Sequence, residues 1–193
     1  MNSINFTSSN WFHDAASRIK NGEVGLVPFD TVWGLVGKIS PSVINRLFEI
    51  KQRPKDRPLL VVISDIGQLE TLCSPLNDLQ RQAIKSHWPG PTTLILPKHP
   101  RIPTELIGAA QGIAIRYPTA QWVLDLINTV GEPLISTSAN RHGFPVPQTH
   151  KDWDPQITNA CDFTASWTPP MTGTPSAIID YLHDPPSIVR HGQ

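Results

Sequence analysis

Residues 40–63 read SPSVINRLFEIKQRPKDRPLLVVI, and this stretch decides the fold class. Ser40 and the proline after it are typical of a helix start, because proline suits the first helical position. Apolar residues then recur at helical spacing over 43–50. The helix must end before Pro54, because the residue that precedes a proline disfavours the helical conformation. Residues 59–63 form a continuous aliphatic run of strand length, which predicts a strand covered on both faces.

Outward from this stretch, strands and helices mostly alternate, which favours an α/β sheet covered by helices. Residues 143–175 are rich in Pro, Thr and Trp and have weak periodicity. We interpret them as a long ordered excursion of one domain over residues 1–193. Further helices are expected over 10–20 (capped by Asn10), over 74–88 (opened by Ser74-Pro75) and over 119–130. Further strands are expected over 23–27, 92–96, 113–115, 133–136, 178–179 and 188–189.

Composition and charge limit the classes of function. The 193 residues are 39% hydrophobic and 17% charged, which is typical of a folded globular protein. Sixteen cationic and sixteen anionic residues leave no net field to drive non-specific binding of nucleic acid. The longest aliphatic run is far short of the roughly 20 residues that span a bilayer, and residues 1–10 lack the pattern of a signal peptide. We therefore expect a soluble, cytoplasmic protein.

Four polar stretches lie at the edges of apolar runs, where functional loops usually sit on a rigid scaffold. They are residues 28–35, 51–54, 136–140 and 176–180. Together they offer cations, hydroxyls and an amide, but no covalent nucleophile beside a base. No Walker A loop, G-x-G-x-x-G, G-x-S-x-G or H-E-x-x-H motif occurs in the sequence. The inventory suits the binding of phosphates better than the hydrolysis of an ester.

Basic residues form the first candidate cluster. Four cations occupy alternate positions, which on an exposed strand or loop would aim them to one side: Lys51, Arg53, Lys55 and Arg57. Arginine suits bidentate contacts with phosphate, although a solvated basic loop has the same pattern. Arg116 and Arg190 each follow a run of strand-forming residues, so their guanidinium groups would point into a cleft at the strand ends. These two arginines favour the binding interpretation.

Hydroxyl and amide groups form the second cluster. Residues 136–140 read STSAN directly after an expected buried strand, so they could bind a carboxylate, a ribose or a phosphate. A plain turn or a helix cap would use the same residues. Asp30 and Thr31 precede Val32-Trp33-Gly34, and the same choice stays open there. Either these residues form a capping turn, or Thr31 donates to a ligand beside the apolar face of Trp33.

Taken in order, these motifs resemble the YrdC-like family, which makes threonylcarbamoyl-AMP for the t6A modification of tRNA. The resemblance covers roughly residues 10–193. It consists of P-F-D-T-V-W-G-L at 28–35, K-x-R-P at 51–54 with Pro58-Leu59, W-P-G-P-x-T at 88–93, R-x-P at 116–118, S-T-S-A-N at 136–140, S-A-I-I-D at 176–180 and R-x-G at 190–192.

The resemblance implies an α/β fold with a YrdC-like twisted mixed sheet, flanked by helices and carrying a concave, positively charged cleft. It implies catalytic roles for Lys51 and Arg53. The residues implied to bind ATP are Arg53, Arg57, Ser138, Asn140 and Arg190. Those implied to hold L-threonine are Thr31, Arg116, Ser136 and Ser176. No protein side chain is expected to bind a metal.

The implied reaction joins L-threonine, bicarbonate and ATP to give threonylcarbamoyl-AMP and pyrophosphate, with Mg²⁺ accompanying ATP. The implied partners are the t6A transfer complex and, weakly, RNA or tRNA. Phe29, Trp33, Val62 and Ala177 depart from the family pattern and could reshape the amino-acid pocket. Two alternatives stay open. One is a non-catalytic module for RNA binding or ribosome maturation, and the other is a relative that adenylates carbamoyl groups for another acceptor.

Overall fold

The computed structural model describes residues 2–4, 11–165 and 167–192, and within them one mixed sheet carries helices on its flanks. The strands are β1 Asn2–Ile4, β2 Gly25–Pro28, β3 Trp33–Lys38, β4 Leu60–Val62, β5 Thr92–Pro97, β6 Gly112–Arg116, β7 Leu134–Ser138, β8 Phe163–Ala165, β9 Ala177–Asp180 and β10 Ser187–Arg190. The α-helices are α1 Trp11–Lys20, α2 Pro41–Lys51, α3 Leu69–Leu72, α4 Asp78–His87, α5 Thr104–Ile107, α6 Gln121–Val130 and α7 Pro155–Ala160. Short 3₁₀ turns cover Ile66–Gln68 and His150–Asp152.

Over the described residues, the sheet has ten strands in the order β1-β8-β2-β3-β7-β4-β6-β5-β9-β10. Strand β4 lies near its centre, parallel to β6 and antiparallel to β7. Val61 in β4 has no exposed surface, as the continuous aliphatic run predicts for a strand covered on both faces. The predicted α/β class with a mixed sheet is confirmed.

Helix α2 follows the local signals in its sequence. The Ser40 side chain accepts a hydrogen bond from the backbone of Val43, and proline occupies the first turn. The helix ends at Lys51, and Gln52 takes a left-handed conformation with φ 49° before the chain reaches Pro54. These constraints fix where the side chain of Lys51 enters the structure.

Two segments predicted as loops are strands. Residues 28–35 were expected to form a loop, but Trp33–Lys38 is strand β3, which forms a hairpin with β2. The strand that was expected to end at Ser136 continues to Ser138, where it pairs with Gly34 of β3. Long-range pairing of β3 with β7 overrides the local turn signals. The hydroxyls of residues 136–138 are therefore held by a sheet.

Helix α4 begins later than predicted. Asn77 caps it in a reciprocal arrangement with Gln80, whereas the expected start was Ser74-Pro75. Ser74 is engaged elsewhere, because its backbone N–H donates to Pro97 and its hydroxyl donates to Lys98. The predicted cap at Asn10 lies outside the described residues.

The excursion over residues 143–175 has more structure than its sequence indicates. It contains helix α7 and strand β8, and β8 pairs in parallel with β2. The segment thus contributes to the main sheet. Among the described residues, no helix is long and apolar enough to cross a membrane.

Candidate active site

Eight of the ten predicted site residues line one cavity of about 240 Å³ on the sheet. They come from the β2–β3 turn, the segment after α2, and strands β6, β7 and β10, together with the residue that precedes β9. The eight are Thr31, Arg53, Arg57, Arg116, Ser136, Ser138, Ser176 and Arg190. Among the described residues that line the cavity there are four arginines and no carboxylate. The positively charged cleft stays a prediction, which this composition supports.

Arg116 ends β6 and is only 2% exposed. Its guanidinium donates to the Thr31 hydroxyl at 2.9 Å, to the Gly90 carbonyl at 3.0 Å and to the Asp30 carboxylate at 2.6 Å. Burial lowers the pKa of Arg116, and the charge of Asp30 opposes that change. Charged hydrogen bonds of this kind fix the orientation of the group. Arg116 is thus a rigid, charged donor in the cavity wall.

Ser176 connects the other side of the cavity to Arg190. The Ser176 hydroxyl lies 2.9 Å from the hydroxyl of Thr93 in β5. Arg190 donates to the Ser176 carbonyl through Nε at 3.0 Å and through Nη2 at 2.7 Å. Burial, followed by repulsion from Arg116, lowers the pKa of Arg190. The positive charges of Arg116 and Arg190 therefore face the same space and repel each other.

Arg53 is a partly buried cation of the group whose hydrogen-bonding capacity is largely unused. It donates one hydrogen bond, from Nη2 to the Pro58 carbonyl at 3.0 Å, and its buried Nε has no partner among the described residues. Desolvation, followed by repulsion from Arg57 and Arg190, lowers its pKa, while Asp56 acts in the opposite direction. An anion in the cavity would relieve this repulsion, so the electrostatics indicate a site for negatively charged ligands.

Lys51 and Asn140 do not line this cavity, although both were predicted as site residues. Lys51 is 2% exposed, and its ammonium donates to the Ser138 carbonyl at 2.5 Å and to the Asn140 carbonyl at 2.7 Å. It also contacts Asn140 Oδ1 at 3.3 Å, and the Ser138 hydroxyl donates to this oxygen at 2.6 Å. Lys51 therefore lies behind the cavity wall and holds the end of β7 in place.

Burial disfavours the charged form of the Lys51 side chain. Desolvation, followed by repulsion from Arg53, lowers the pKa of Lys51 to about 7. The three oxygen acceptors favour the charged form, because only the ammonium supplies three protons. The hydrogen bonds thus oppose the effect of burial.

The expected one-sided row of cations is wrong for Lys55. Lys51 belongs to a helix and Gln52 is left-handed, so the alternation expected of a strand does not apply over 51–57. Lys55 instead points to the surface and donates to Asn45 Oδ1 at 2.8 Å. The helix end and the turn after it direct only Arg53 and Arg57 of this row into the cavity.

Trp33 does not form the apolar ligand wall that the sequence suggested. Its fully buried ring packs against Trp153 and His150, with ring centroids 4.8 Å apart in each pair. Successive strand residues face opposite sides of a sheet, so the next residue, Gly34, lies on the cavity side. Phe29 and Val62 line the cavity, whereas Trp33 and Ala177 are not among its lining residues.

Two contributors to the site were not predicted as site residues. Thr93 is buried beside Ser176, and Asp30 is the ionic partner of Arg116. Both residues belong to the quoted motifs, so the motifs contained the signal. Their partners, however, are 83 and 86 residues away in sequence, and local patterns cannot assign such pairs.

The mixed sheet and this cavity define an α/β protein with a small, arginine-rich ligand site. The chain belongs to the Sua5/YciO/YrdC family, whose model, described as "Telomere recombination", matches residues 17–192. It is similar to the threonylcarbamoyl-AMP synthase of Pyrococcus abyssi, with 31% identity over 179 residues, which cover 92% of this chain and 53% of that protein. It also resembles the threonylcarbamoyl-AMP synthase of Cellvibrio japonicus, with 30% identity over 87% of this chain and 89% of that protein.

Solved structures agree with this assignment. P. abyssi Sua5 complexed with L-threonine matches with a TM-score of 0.90 and 30% identity, over 99% of this chain and 57% of that one. E. coli YciO matches with a TM-score of 0.85 over 96% of this chain and 90% of that one, and at 23% identity it supports the fold alone. The chain spans about half the length of the P. abyssi synthase and of the Bacillus subtilis synthase.

Proposed function

We propose that the protein is a threonylcarbamoyl-AMP synthase, which converts L-threonine, bicarbonate and ATP to L-threonylcarbamoyladenylate and pyrophosphate. One observation carries the proposal: four arginines and several buried hydroxyls meet in one cavity without a lining carboxylate. Such a site favours substrates that carry several negative charges. The relatives that bear this enzyme name support the same reaction.

The amino-acid end of the site is proposed to lie around Arg116. Its guanidinium and the hydroxyls of Thr31, Ser136 and Ser176 are donors suited to the carboxylate and hydroxyl of L-threonine. The solved P. abyssi relative is complexed with L-threonine, which supports threonine as a substrate of the proposed reaction.

The phosphate end is proposed to lie around Arg53, Arg57 and Arg190, with the hydroxyl of Ser138 beside them. Lys51 and Asn140 would act from behind the wall by holding the strand end that carries Ser138. We thus propose that Lys51 has a positioning role, and that Arg53 is the catalytic cation of the predicted pair.

The chemistry requires no nucleophile from the protein. The amine of threonine adds to carbon dioxide with loss of a proton, or to bicarbonate with loss of water, and becomes an N-carboxylate. An oxygen of this group attacks the α-phosphorus of ATP. The bond from that phosphorus to the bridging oxygen breaks, and pyrophosphate leaves with the electron pair. The side chains align the carboxylate with the phosphorus and stabilise the charge on the departing phosphates.

Mg²⁺ is proposed to accompany ATP. Across residues 2–4, 11–165 and 167–192, no group of three or more His, Cys, Asp or Glu residues is placed to hold a metal. Mg²⁺ commonly relies on substrate phosphates and water, so such an ion fits a site without a protein cage. It would supply charge neutralisation at the phosphates. Transfer of the product to tRNA by the t6A transfer complex, weak contact with tRNA and a cytoplasmic location belong to the same proposal.

The test is pyrophosphate release from ATP and bicarbonate, with L-threonine, with L-serine and with no amino acid. Threonine-dependent release is expected. Release that depends on carbamoyl phosphate and ignores threonine would point to a carbamoyl-adenylating relative. Salt-dependent RNA binding without ATP consumption would instead point to a binding module.

A further inference from the structure

One aromatic side chain lines the cavity and has no role in the reaction as described so far. Among the described residues of the cavity wall, Phe29 is the only aromatic one. It is 3% exposed, so the surrounding packing fixes its ring in one orientation. The cavity therefore has a rigid apolar face at Phe29.

The Phe29 ring lies directly against the sheet at Gly34. A Cβ at Gly34 would be 2.6 Å from Cε2 of Phe29 and 3.4 Å from Oγ of Ser136. Any larger residue at position 34 would therefore compete with the ring for the same space. Because both atoms lie close to one point, the ring and the Ser136 hydroxyl are neighbours on the cavity side of the sheet.

The backbone around Phe29 ties the ring to Thr31. The N–H of Phe29 donates to the Val32 carbonyl at 3.2 Å, which closes the turn between β2 and β3. The carbonyl of Thr31 accepts a hydrogen bond from the N–H of Gly173 at 2.8 Å, so the turn is also held from the outside. One rigid turn thus carries both the ring and the hydroxyl that accepts from Arg116.

The donors near the ring match the polar groups of threonine but not its methyl group. Arg116 and the hydroxyls of Thr31 and Ser136 suit the carboxylate and the side-chain hydroxyl. The methyl group contributes to affinity only where an apolar surface removes it from water. Phe29 offers such a surface beside Ser136, and Val62, the register partner of Arg116 in β4, offers a second one.

We propose that Phe29 sets the size of the amino-acid side chain that the site accepts, an inference that rests on the proposed function. The ring contacts the methyl group of threonine, so serine, which lacks this group, binds more weakly. A longer side chain is rejected because the ring has the backbone of Gly34 behind it and cannot withdraw. Phe29 therefore determines specificity without contacting the reacting carboxylate or phosphorus.

The test compares three amino acids that differ by one carbon each. The dissociation constants of L-serine, L-threonine and L-3-hydroxynorvaline are measured by calorimetry, without nucleotide, for the wild type and Phe29→Ala. Ratios measured on one preparation do not depend on its folded fraction. The wild type should bind threonine about 10-fold or more tighter than serine. Phe29→Ala should lower this ratio by about 4- to 10-fold and should bind 3-hydroxynorvaline at least as tightly as threonine.

Phe163→Ala is the matched control for damage to the sheet. Phe163 also packs on a strand glycine, since a Cβ at Gly25 would be 2.1 Å from its Cζ, but it is not among the residues that line the cavity. This variant should leave both affinity ratios unchanged. A change equal to that of Phe29→Ala would indicate general damage and would overturn the inference.

Gly34→Ala tests the same contact from the other side. The added Cβ should push the Phe29 ring into the cavity and weaken the binding of threonine more than that of serine. This extra loss should disappear when Phe29→Ala is combined with it, because the two residues compete for one space. Where Phe29→Ala alone does not fold, Gly34→Ala decides, and an unchanged threonine-to-serine ratio would overturn the inference.

Other results would also contradict it. If Phe29→Ala folds and keeps both ratios at wild-type values, Phe29 is a core residue only. If Val62→Ala changes the ratios and Phe29→Ala does not, the size limit belongs to β4. A wild type that binds none of the three amino acids would overturn both the inference and the proposed function. If the ratios change as expected while the wild type releases no pyrophosphate with threonine, only the proposed reaction fails.

Discussion

Arg53→Met should weaken ATP binding without weakening the fold. Methionine keeps an apolar stem and removes a cation that is desolvated and repelled by Arg57 and Arg190. Within the described part of the chain, this cation is bonded only to the Pro58 carbonyl. The ligand-free variant should therefore unfold at the same temperature as the wild type or at a higher one. A hydrogen bond to a charged group contributes roughly 1.5–3 kcal/mol, so the Kd of ATP should rise by about 10- to 150-fold.

The assay is thermal unfolding with and without ATP, paired with calorimetric titration. At an ATP concentration of 100 times the wild-type Kd, ATP stabilises the wild type by about 2.7 kcal/mol, and a tenfold weaker variant by only about 1.4 kcal/mol. Lys55→Met is the matched control, because Lys55 lies in the same turn and points away from the cavity. A variant with a lower unfolding temperature and unchanged ATP affinity would refute this account of Arg53.

Three further predictions follow from buried polar groups. Because the pKa of Lys51 is about 7 in the folded protein and 10.5 in the unfolded chain, unfolding takes up a proton between these values. The free energy of unfolding of the wild type relative to Lys51→Met should therefore rise from pH 7 to pH 10, by at most about 4 kcal/mol. Chemical denaturation measures this difference, and a fall of the difference with rising pH would contradict the prediction. Asp30→Asn leaves the buried Arg116 without its counter-charge and should lower the free energy of unfolding, measured in urea, by roughly 3 kcal/mol. An unchanged free energy of unfolding would mean that the Asp30–Arg116 pair does not stabilise the fold. Thr31→Ala removes the acceptor of one Arg116 bond and should raise the KM for threonine by about 5- to 15-fold at unchanged KM for ATP, whereas Thr158→Ala, at a buried threonine of α7, should change neither.

Where the signals are local, the sequence predicts the fold well. Residues 40–63 carry a cap, helical spacing, a proline stop and an aliphatic run, and the structure has α2 and β4 in the expected places. Strand β3 was missed because Gly34 was interpreted as part of a loop. In the structure a Cβ at Gly34 would lie 2.6 Å from the ring of Phe29 and 3.4 Å from the Ser136 hydroxyl. This glycine is required by close packing in a sheet, which a local pattern cannot distinguish from a turn.

For the candidate site too, the sequence shows the local signals but not the long-range contacts. The motifs identified the residue types, and eight of ten predicted residues line one cavity. The exceptions are Lys51 and Asn140. Lys51 binds Ser138 and Asn140, which are 87 and 89 residues away in sequence. The sequence did not show in which direction each side chain points. A lysine at a helix end can face solvent or the interior, and only the position of β7 decides which.

The charge of the cavity bears on how the product would be retained. Arg53 is repelled by Arg57 and by Arg190, so a bound triphosphate would relieve this repulsion. When pyrophosphate leaves, the proposed product keeps a single phosphate, and the arginines hold it less strongly than they hold ATP. Retention of a labile adenylate would then depend on contacts away from the phosphates, such as the proposed contact of its threonyl group with Arg116. Loss of that contact should release the product sooner than it slows the capture of ATP phosphates.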